Sequence, residues 1–223
     1  MKWIQDFQLF LFDFDGLLVN TERLHFQAYI DMMASRGYKL SWSFLRYCEV
    51  AHLDATALRE ALYSEFPDLS LDWPSLYAEK KKIYYELVSE GKVELMPGVE
   101  SLLMELEKAS IRRCVATNSF LDQIELIRSK IPLLQTIPYW ITRENYEKQK
   151  PYPDAYLKAI ELYEKPEDRI IGFEDSIRGL QALQGTKALP ILICDAKHPL
   201  LGHAPEGVVR FDSLDAIPSS ARL

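Results

Sequence analysis

The segment that most constrains this chain is Phe7-Gln8-Leu9-Phe10-Leu11-Phe12, an almost unbroken apolar and aromatic run that stops abruptly at Asp13-Phe14-Asp15-Gly16. A strand that is apolar on both faces has to be covered on both faces, which is the condition of a central strand in a parallel sheet flanked by helices. Short runs of the same kind recur at 111–117, 139–142, 169–173 and 190–194. Between them, apolar residues at helical spacing predict helices over 99–108, 121–130, 154–163 and 177–184. This alternation predicts an α/β fold with a doubly wound, mostly parallel sheet.

The stretch from Thr21 to Gly91 departs from the alternation. Leu58, Leu62 and Phe66, then Leu76, Ile83 and Leu87, recur at helical spacing with no strand pattern between them. The expected organisation is an α/β core over 1–18 and 93–223 with an inserted α-helical cap over 19–92, and Pro97-Gly98 as the turn back into the core. Ligands of such sheets bind beyond the carboxyl ends of the strands, so an insert after the first strand would overhang the site as a lid.

Composition removes other classes. The chain has 223 residues, 48% of them hydrophobic and 26% charged, which suits a globular core carrying one large insertion. With 26 basic and 33 acidic residues the net charge is −7, and the one basic run is Lys80-Lys81-Lys82, so nucleic acid is not the expected partner. Cys48, Cys114 and Cys194 are far apart and show no CxxC spacing, so neither a disulfide framework nor a thiolate zinc site is indicated. The apolar run near the N-terminus follows Asp6 and is broken at Asp13, unlike a signal peptide, and no stretch approaches the roughly 18 to 20 apolar residues of a membrane span. A cytoplasmic enzyme without a membrane partner is expected.

Four strand ends carry chemistry-bearing residues. Asp13 and Asp15 would point to opposite sides of a continuing strand, but Gly16 lets the chain turn so that both can face one pocket. Taken alone, such a string is equally a loop of solvated aspartates. Thr117-Asn118-Ser119, after the second strand, offers hydroxyls and amides for an anion, or a plain helix cap. Lys150-Pro151-Tyr152-Pro153-Asp154 holds an ammonium in a loop stiffened by two prolines, or presents a solvated lysine before a helix. Gly172-Phe173-Glu174-Asp175-Ser176 places two acids where a helix is about to start, and such oxygens suit a hard cation such as magnesium. Each is weak singly; carboxylates, hydroxyl, lysine and carboxylates at successive strand ends are hard to obtain by coincidence.

This order resembles the haloacid dehalogenase superfamily, with its Rossmann-like core, and within it the branch of β-phosphoglucomutase-like enzymes and small phosphatases that carry a helical cap. The opening Phe12-Asp13-Phe14-Asp15-Gly16-Leu17-Leu18-Val19-Asn20-Thr21-Glu22 and the later Gly172-Phe173-Glu174-Asp175-Ser176-Ile177-Arg178-Gly179 are similar to two of its signatures. The resemblance implies Asp13 as nucleophile and magnesium ligand, and Asp15 as general acid/base that also lends its backbone carbonyl to the metal. It implies Thr117 and Asn118 as phosphate ligands, Lys150 as charge neutraliser, and Glu174 and Asp175 as metal carboxylates. Asp15 separates phosphoryl transfer from the dehalogenases and phosphonatases, which lack a carboxylate there.

What the resemblance implies is a magnesium-dependent phosphatase for a small phosphorylated metabolite, a sugar or polyol phosphate. The alternatives are a sugar-phosphate mutase and, from another class, a non-catalytic phospho-ligand-binding module, which would have no need of both aspartates. The mutases grip a distal phosphate with an arginine in a cap loop; the comparable stretch here, Tyr47-Cys48-Glu49-Val50-Ala51-His52, has none, leaving Arg46 or Arg59 as substitutes. Asn20 stands where the branch usually has an acid. His25 is either a half-exposed helix residue or a group coupling cap closure to Asp15. Lys80 loosely matches a cap lysine of the mutases but, within a run of three lysines, reads as part of a solvated helix face; Tyr77, Tyr84 and Tyr85 read as cap packing, and His52, His198 and His203 show no metal spacing.

Overall fold

The computed structural model describes residues 1–51, 56–69 and 72–223, without the side chains of 199 and 200. Six strands among these residues form one parallel sheet: β1 (Leu9–Phe12), β2 (Arg112–Ala116), β3 (Tyr139–Ile141), β4 (Ile170–Glu174), β5 (Leu189–Ile193) and β6 (Val209–Phe211), in the order β3-β2-β1-β4-β5-β6. The first helices follow β1 directly: α1 (Thr21–Ser35), α2 (Phe44–Ala51), α3 (Ala57–Glu65) and α4 (Trp73–Ser89). The core then continues with α5 (Val99–Lys108), α6 (Leu121–Lys130) after β2, α7 (Asp154–Tyr163) after β3 and α8 (Ile177–Gln184) after β4.

The two faces of β1 show why its run is unbroken. Phe10 and Phe12 point to one side, where Phe12 stacks on Phe173 at 5.4 Å between ring centroids and the helices α5 and α6 close the layer. Leu9 and Leu11 point to the other, against Ala155, Tyr156 and Ala159 of α7 and Leu183 of α8. Gly172 of β4 lies so close to α8 that a Cβ there would stand 2.5 Å from the Leu183 methyls.

A third apolar cluster lies within the insert, where Tyr29, Met32 and Met33 of α1 meet Tyr47, Leu58, Leu62 and Leu76. Two antiparallel connections return from it to the core. Asn20 donates its amide N–H to the Glu94 carbonyl at 3.0 Å, and the Glu94 amide donates to Asn20 Oδ1 at 2.8 Å. An amide at position 20 therefore keeps the hydrogen bond that a carboxylate would accept there.

The expected helices of the core coincide with α5 to α8. Three features differ from expectation. β6 was not anticipated, because it is three residues long with every side chain half-exposed and so carries no apolar run. Phe66 caps α3 rather than belonging to it. The stretch compared above with a loop is helix α2 as far as Ala51, and His52 lies outside the described residues.

The Phe173 ring sits at the centre of the aromatic layer with no exposure, whereas Phe120 is 52% exposed. Phe173→Ala should cost about 3–5 kcal/mol in urea denaturation, and Phe120→Ala less than about 0.5 kcal/mol.

Candidate active site

The strand order reverses direction between β1 and β4, and this is where the acids gather. Phe12 pairs in register with Phe173, and the Asp13 amide donates to the Phe173 carbonyl at 3.0 Å, so Asp13 emerges beside Glu174. On the other side β1 runs level with β2, whose last residue, Ala116, offers its carbonyl to Lys150 Nζ at 2.8 Å. Lys150 Nζ also donates to Asp13 Oδ1, to Glu174 Oε1 at 2.7 Å and to the Tyr156 hydroxyl at 3.0 Å. Burial alone would lower the proton affinity of this lysine, but the charges of Asp13 and Glu174 outweigh it and raise it above the ordinary range.

One ammonium does not balance the acids around it. One oxygen each of Asp13, Glu174 and Asp175 can lie within 4.8 Å of the others. Burial first, then repulsion from Asp13, pushes Glu174 up to about 7 against the pull of Lys150, and burial, then repulsion from Asp13 and Glu174, pushes Asp175 up. Glu174 Oε2 is buried and has no hydrogen-bond partner among the described residues. Two glycines make room for these groups: a Cβ on Gly179 would lie 1.9 Å from Glu174 Oε2, and one on Gly16, where φ is +82°, 2.2 Å from Asp175 Oδ2. An orphaned carboxylate oxygen within a compact set of hard oxygen donors fits magnesium, held by Asp13, Glu174 and Asp175.

Asp15 sits in a different setting. Gly16 turns the chain with positive φ and donates its amide to the Val19 carbonyl at 2.9 Å, and Asp15 faces the same cavity as Asp13. Its Oδ1 accepts from Thr21 Oγ1 at 2.7 Å and its Oδ2 from Ser119 Oγ at 2.5 Å, so it ties the start of α1 to the loop after β2. Burial first, then the charges of Asp13 and Glu22, push this carboxyl up to about 6, while the two hydroxyls pull it down. A carboxyl balanced so near neutrality can both give and take a proton.

The cavity, of about 250 Å³, is lined by Asp13, Asp15, Thr117, Asn118, Lys150 and Asp175 among others, so the residues singled out in the sequence come together, with Glu174 fully buried just behind them. The loop 117–119 is not a helix cap. α6 has Phe120 at its N-cap position, and the Leu121 amide donates to Glu144 Oε1 at 3.0 Å instead. Asn118 Oδ1 accepts from the Tyr146 hydroxyl and the Lys150 amide, which leaves its NH2 group for the cavity. Ser119 and Thr21, which donate to Asp15 together with a longer contact from Thr117 Oγ1 at 3.4 Å, were not among the expected site residues, although both fall inside quoted motifs; nothing in their spacing announces which acid they meet.

Lys80 overturns its expectation as part of a solvated face. It is 4% exposed, with Nζ 2.6 Å from His25 Nδ1 and 5.0 and 5.4 Å from the ring centroids of Tyr29 and Tyr84. Burial lowers its proton affinity to about 7, against the pull of Glu22 and Asp15. His25, pushed down to about 3 by burial and then by Lys80, is neutral, stacks on Tyr84 at 4.0 Å and lines the cavity. The three cysteines are free and buried, and among the described residues no histidine joins the carboxylate cluster. No helix among the described residues is long and apolar enough to cross a membrane.

Fold and site together define a doubly wound α/β protein with an acid-rich centre at its switch point. The chain belongs to the haloacid dehalogenase-like hydrolases, whose family model matches residues 10–189. It is 30% identical to protein CbbY of Cereibacter sphaeroides over 183 residues, 78% of this chain and 79% of that protein. It is 28% identical to a phosphorylated carbohydrates phosphatase of Thermotoga maritima, over 77% of this chain and 78% of that one. Among solved structures, a CbbY variant from Rhodobacter sphaeroides in complex with xylulose-(1,5)bisphosphate superposes with a TM-score of 0.74 at 26% identity, covering 95% of this chain and 96% of that one.

Lys150→Met would leave two buried carboxylates without their ammonium, a loss of about 3–5 kcal/mol. Glu174, already raised to about 7 against the pull of Lys150, would rise further above its unfolded value, so the cost grows as pH rises through that window. Urea denaturation in metal-free buffer should show a larger deficit at about pH 7.5 than at about pH 4.5; an equal deficit at both would contradict the charge balance described here.

Proposed function

We propose that the protein is a magnesium-dependent phosphatase that hydrolyses a small phosphorylated metabolite, a sugar or polyol phosphate, through an aspartyl-phosphate on Asp13. The observation that carries this reading is the pairing of two unlike carboxyls in one cavity. Asp13 is held by Lys150 and stands in the acid cluster, while Asp15 is held by two hydroxyls and balanced near neutrality. A carboxylate held against an ammonium beside other acids suits a nucleophile, and a carboxyl raised to about 6 suits an acid/base.

Asp13 attacks phosphorus as the bond to the leaving oxygen breaks, and Asp15 gives its proton to that oxygen. Asp15, now ionised, takes a proton from the water that attacks the acyl phosphate, releasing inorganic phosphate and restoring both groups. Lys150 and the Thr117 hydroxyl and Asn118 amide would hold the phosphoryl oxygens. Magnesium bound by Asp13, Glu174, Asp175 and the Asp15 backbone carbonyl would supply charge neutralisation between nucleophile and phosphate.

The insert over 19–92 is proposed as a cap that closes over this cavity and excludes water. An apolar cluster of its own and the paired backbone at Asn20 and Glu94, where the chain leaves and re-enters the core, support that role, while Leu24, Ala28, Tyr84 and Leu87 pack it against the core. Contacts from α4 to α6 suit the closed position: Gln123 Nε2 donates to the Tyr84 hydroxyl at 3.1 Å, and the Tyr85 hydroxyl donates to Asp122 at 2.9 Å. A sugar or polyol phosphate agrees with the bisphosphate seen on CbbY and with the name of the Thermotoga phosphatase. Mutase chemistry has less support, because Arg46 pairs with Glu49 at the surface and neither Arg46 nor Arg59 lines the cavity. A cytoplasmic setting is part of the same proposal.

Incubation with magnesium and a panel of sugar and polyol phosphates should release inorganic phosphate, and Asp13→Asn should reduce kcat by about 10³-fold or more. Release that persists undiminished in Asp13→Asn, or no release from any ester, would sink the proposal. Conversion of a hexose 1-phosphate to its 6-phosphate without net release would favour a mutase.

A further inference from the structure

Tyr156 lies in the first turns of α7 with no exposure, its ring packed among Leu9, Leu11, Ala159 and Ala182. Its hydroxyl is not placed there by the packing alone. It accepts from Lys150 Nζ at 3.0 Å and donates to Glu174 Oε1, the same oxygen that Lys150 contacts at 2.7 Å. Two donors thus converge on one oxygen of a fully buried carboxylate, while the other, Oε2, has no partner among the described residues. On the far side of that carboxylate stands Gly179, which has no side chain to displace it.

We propose that Tyr156 is a positioning residue for the cation: with Lys150 it occupies Glu174 Oε1, fixes the plane of the carboxylate and so leaves Oε2 for the metal ion or one of its waters. The inference rests on the proposed magnesium site. A carboxylate that is free to rotate about its last bond would present either oxygen to the lysine and spend much of its time turned from the ion. Hydrogen bonds from outside the ligand shell remove that freedom, and losing such a partner typically weakens a metal by about 10- to 100-fold. Tyr156 does not itself line the cavity and meets it only through Lys150 and Glu174, so binding of the ion in the absence of substrate is the readout that isolates its effect on the cation.

The test is direct binding of Mn²⁺, a paramagnetic stand-in for magnesium, followed by electron paramagnetic resonance in the absence of substrate. Tyr156→Phe keeps the ring and removes only the hydroxyl, and its dissociation constant should rise about 10- to 100-fold. Gly179→Ala, which pushes on the same carboxylate from the opposite side, should weaken binding in the same direction. In a Glu174→Gln background, which alters the group through which tyrosine is said to act, Tyr156→Phe should add less than about 2-fold. Near-ultraviolet circular dichroism reports whether each variant is folded, and the glycine variant carries the test if the phenylalanine variant is not. Wild-type affinity retained in Tyr156→Phe, or an equal loss with and without Glu174, would overturn the inference while leaving the cation site standing. Wild-type protein that binds no Mn²⁺ would overturn the site itself, and the inference with it.

Discussion

The in-register pairing of β1 with β4 is the constraint on which the rest of the site depends. It sets Asp13 beside Glu174 at the point where the strand order reverses, and so forces carboxylates together at the foot of the cavity, with Glu174 fully buried. Coulomb repulsion between them would be costly at such separations in a poorly polarisable interior. Lys150 relieves part of it by contacting both, at the end of a loop anchored through Asn118 and Arg178, whose guanidinium donates to the Lys150 carbonyl at 2.8 Å. The residual negative charge and the orphaned oxygen of Glu174 are what make the centre receptive to a cation. Stability and reactivity here draw on one arrangement, since the groups that strain the fold are those that would perform the chemistry.

Much of the core was legible in the sequence for physical reasons. A strand buried on both faces has little choice but an apolar run, so β1 and β4 stood out, and the following helices start on recognisable residues such as Ser176, whose hydroxyl accepts from the Gly179 amide at 3.1 Å. Asp13, Asp15, Glu174 and Asp175 were legible because each ends a strand or begins the loop beyond one, and Lys150 because two prolines mark the loop that holds it before α7. β6 was not, since a three-residue edge strand with half-exposed side chains shows no period. Tyr47 to Ala51 form a helix whose apolar face, Tyr47, Cys48 and Val50, is too short a signal to stand apart from a loop.

The residues that sequence reasoning missed are those whose meaning lies in a distant partner. Ser119 and Asp15 are 104 positions apart and Tyr156 meets Glu174 across 18, so no local pattern links them. Lys80 is the sharpest instance. In a run of three lysines it looked like a solvated face, yet α4 turns it inward onto Tyr29, Tyr84 and His25, while Lys81 and Lys82 stay outside. The aromatic faces compensate part of the burial of its charge, and contacts of that kind are invisible until the helices of the insert are packed.

The central claim is that Asp13, and not Asp15, carries the phosphoryl group. The most direct measurement is a crystal structure of the protein with magnesium and beryllium fluoride, a stable mimic of an acyl phosphate. The account predicts beryllium bonded to an Asp13 carboxylate oxygen, with its fluorines against Lys150 and Thr117 and the cation touching Asp13, Glu174 or its water, and Asp175. Beryllium fluoride bonded to Asp15, or an unmodified Asp13 with magnesium bound elsewhere, would contradict it.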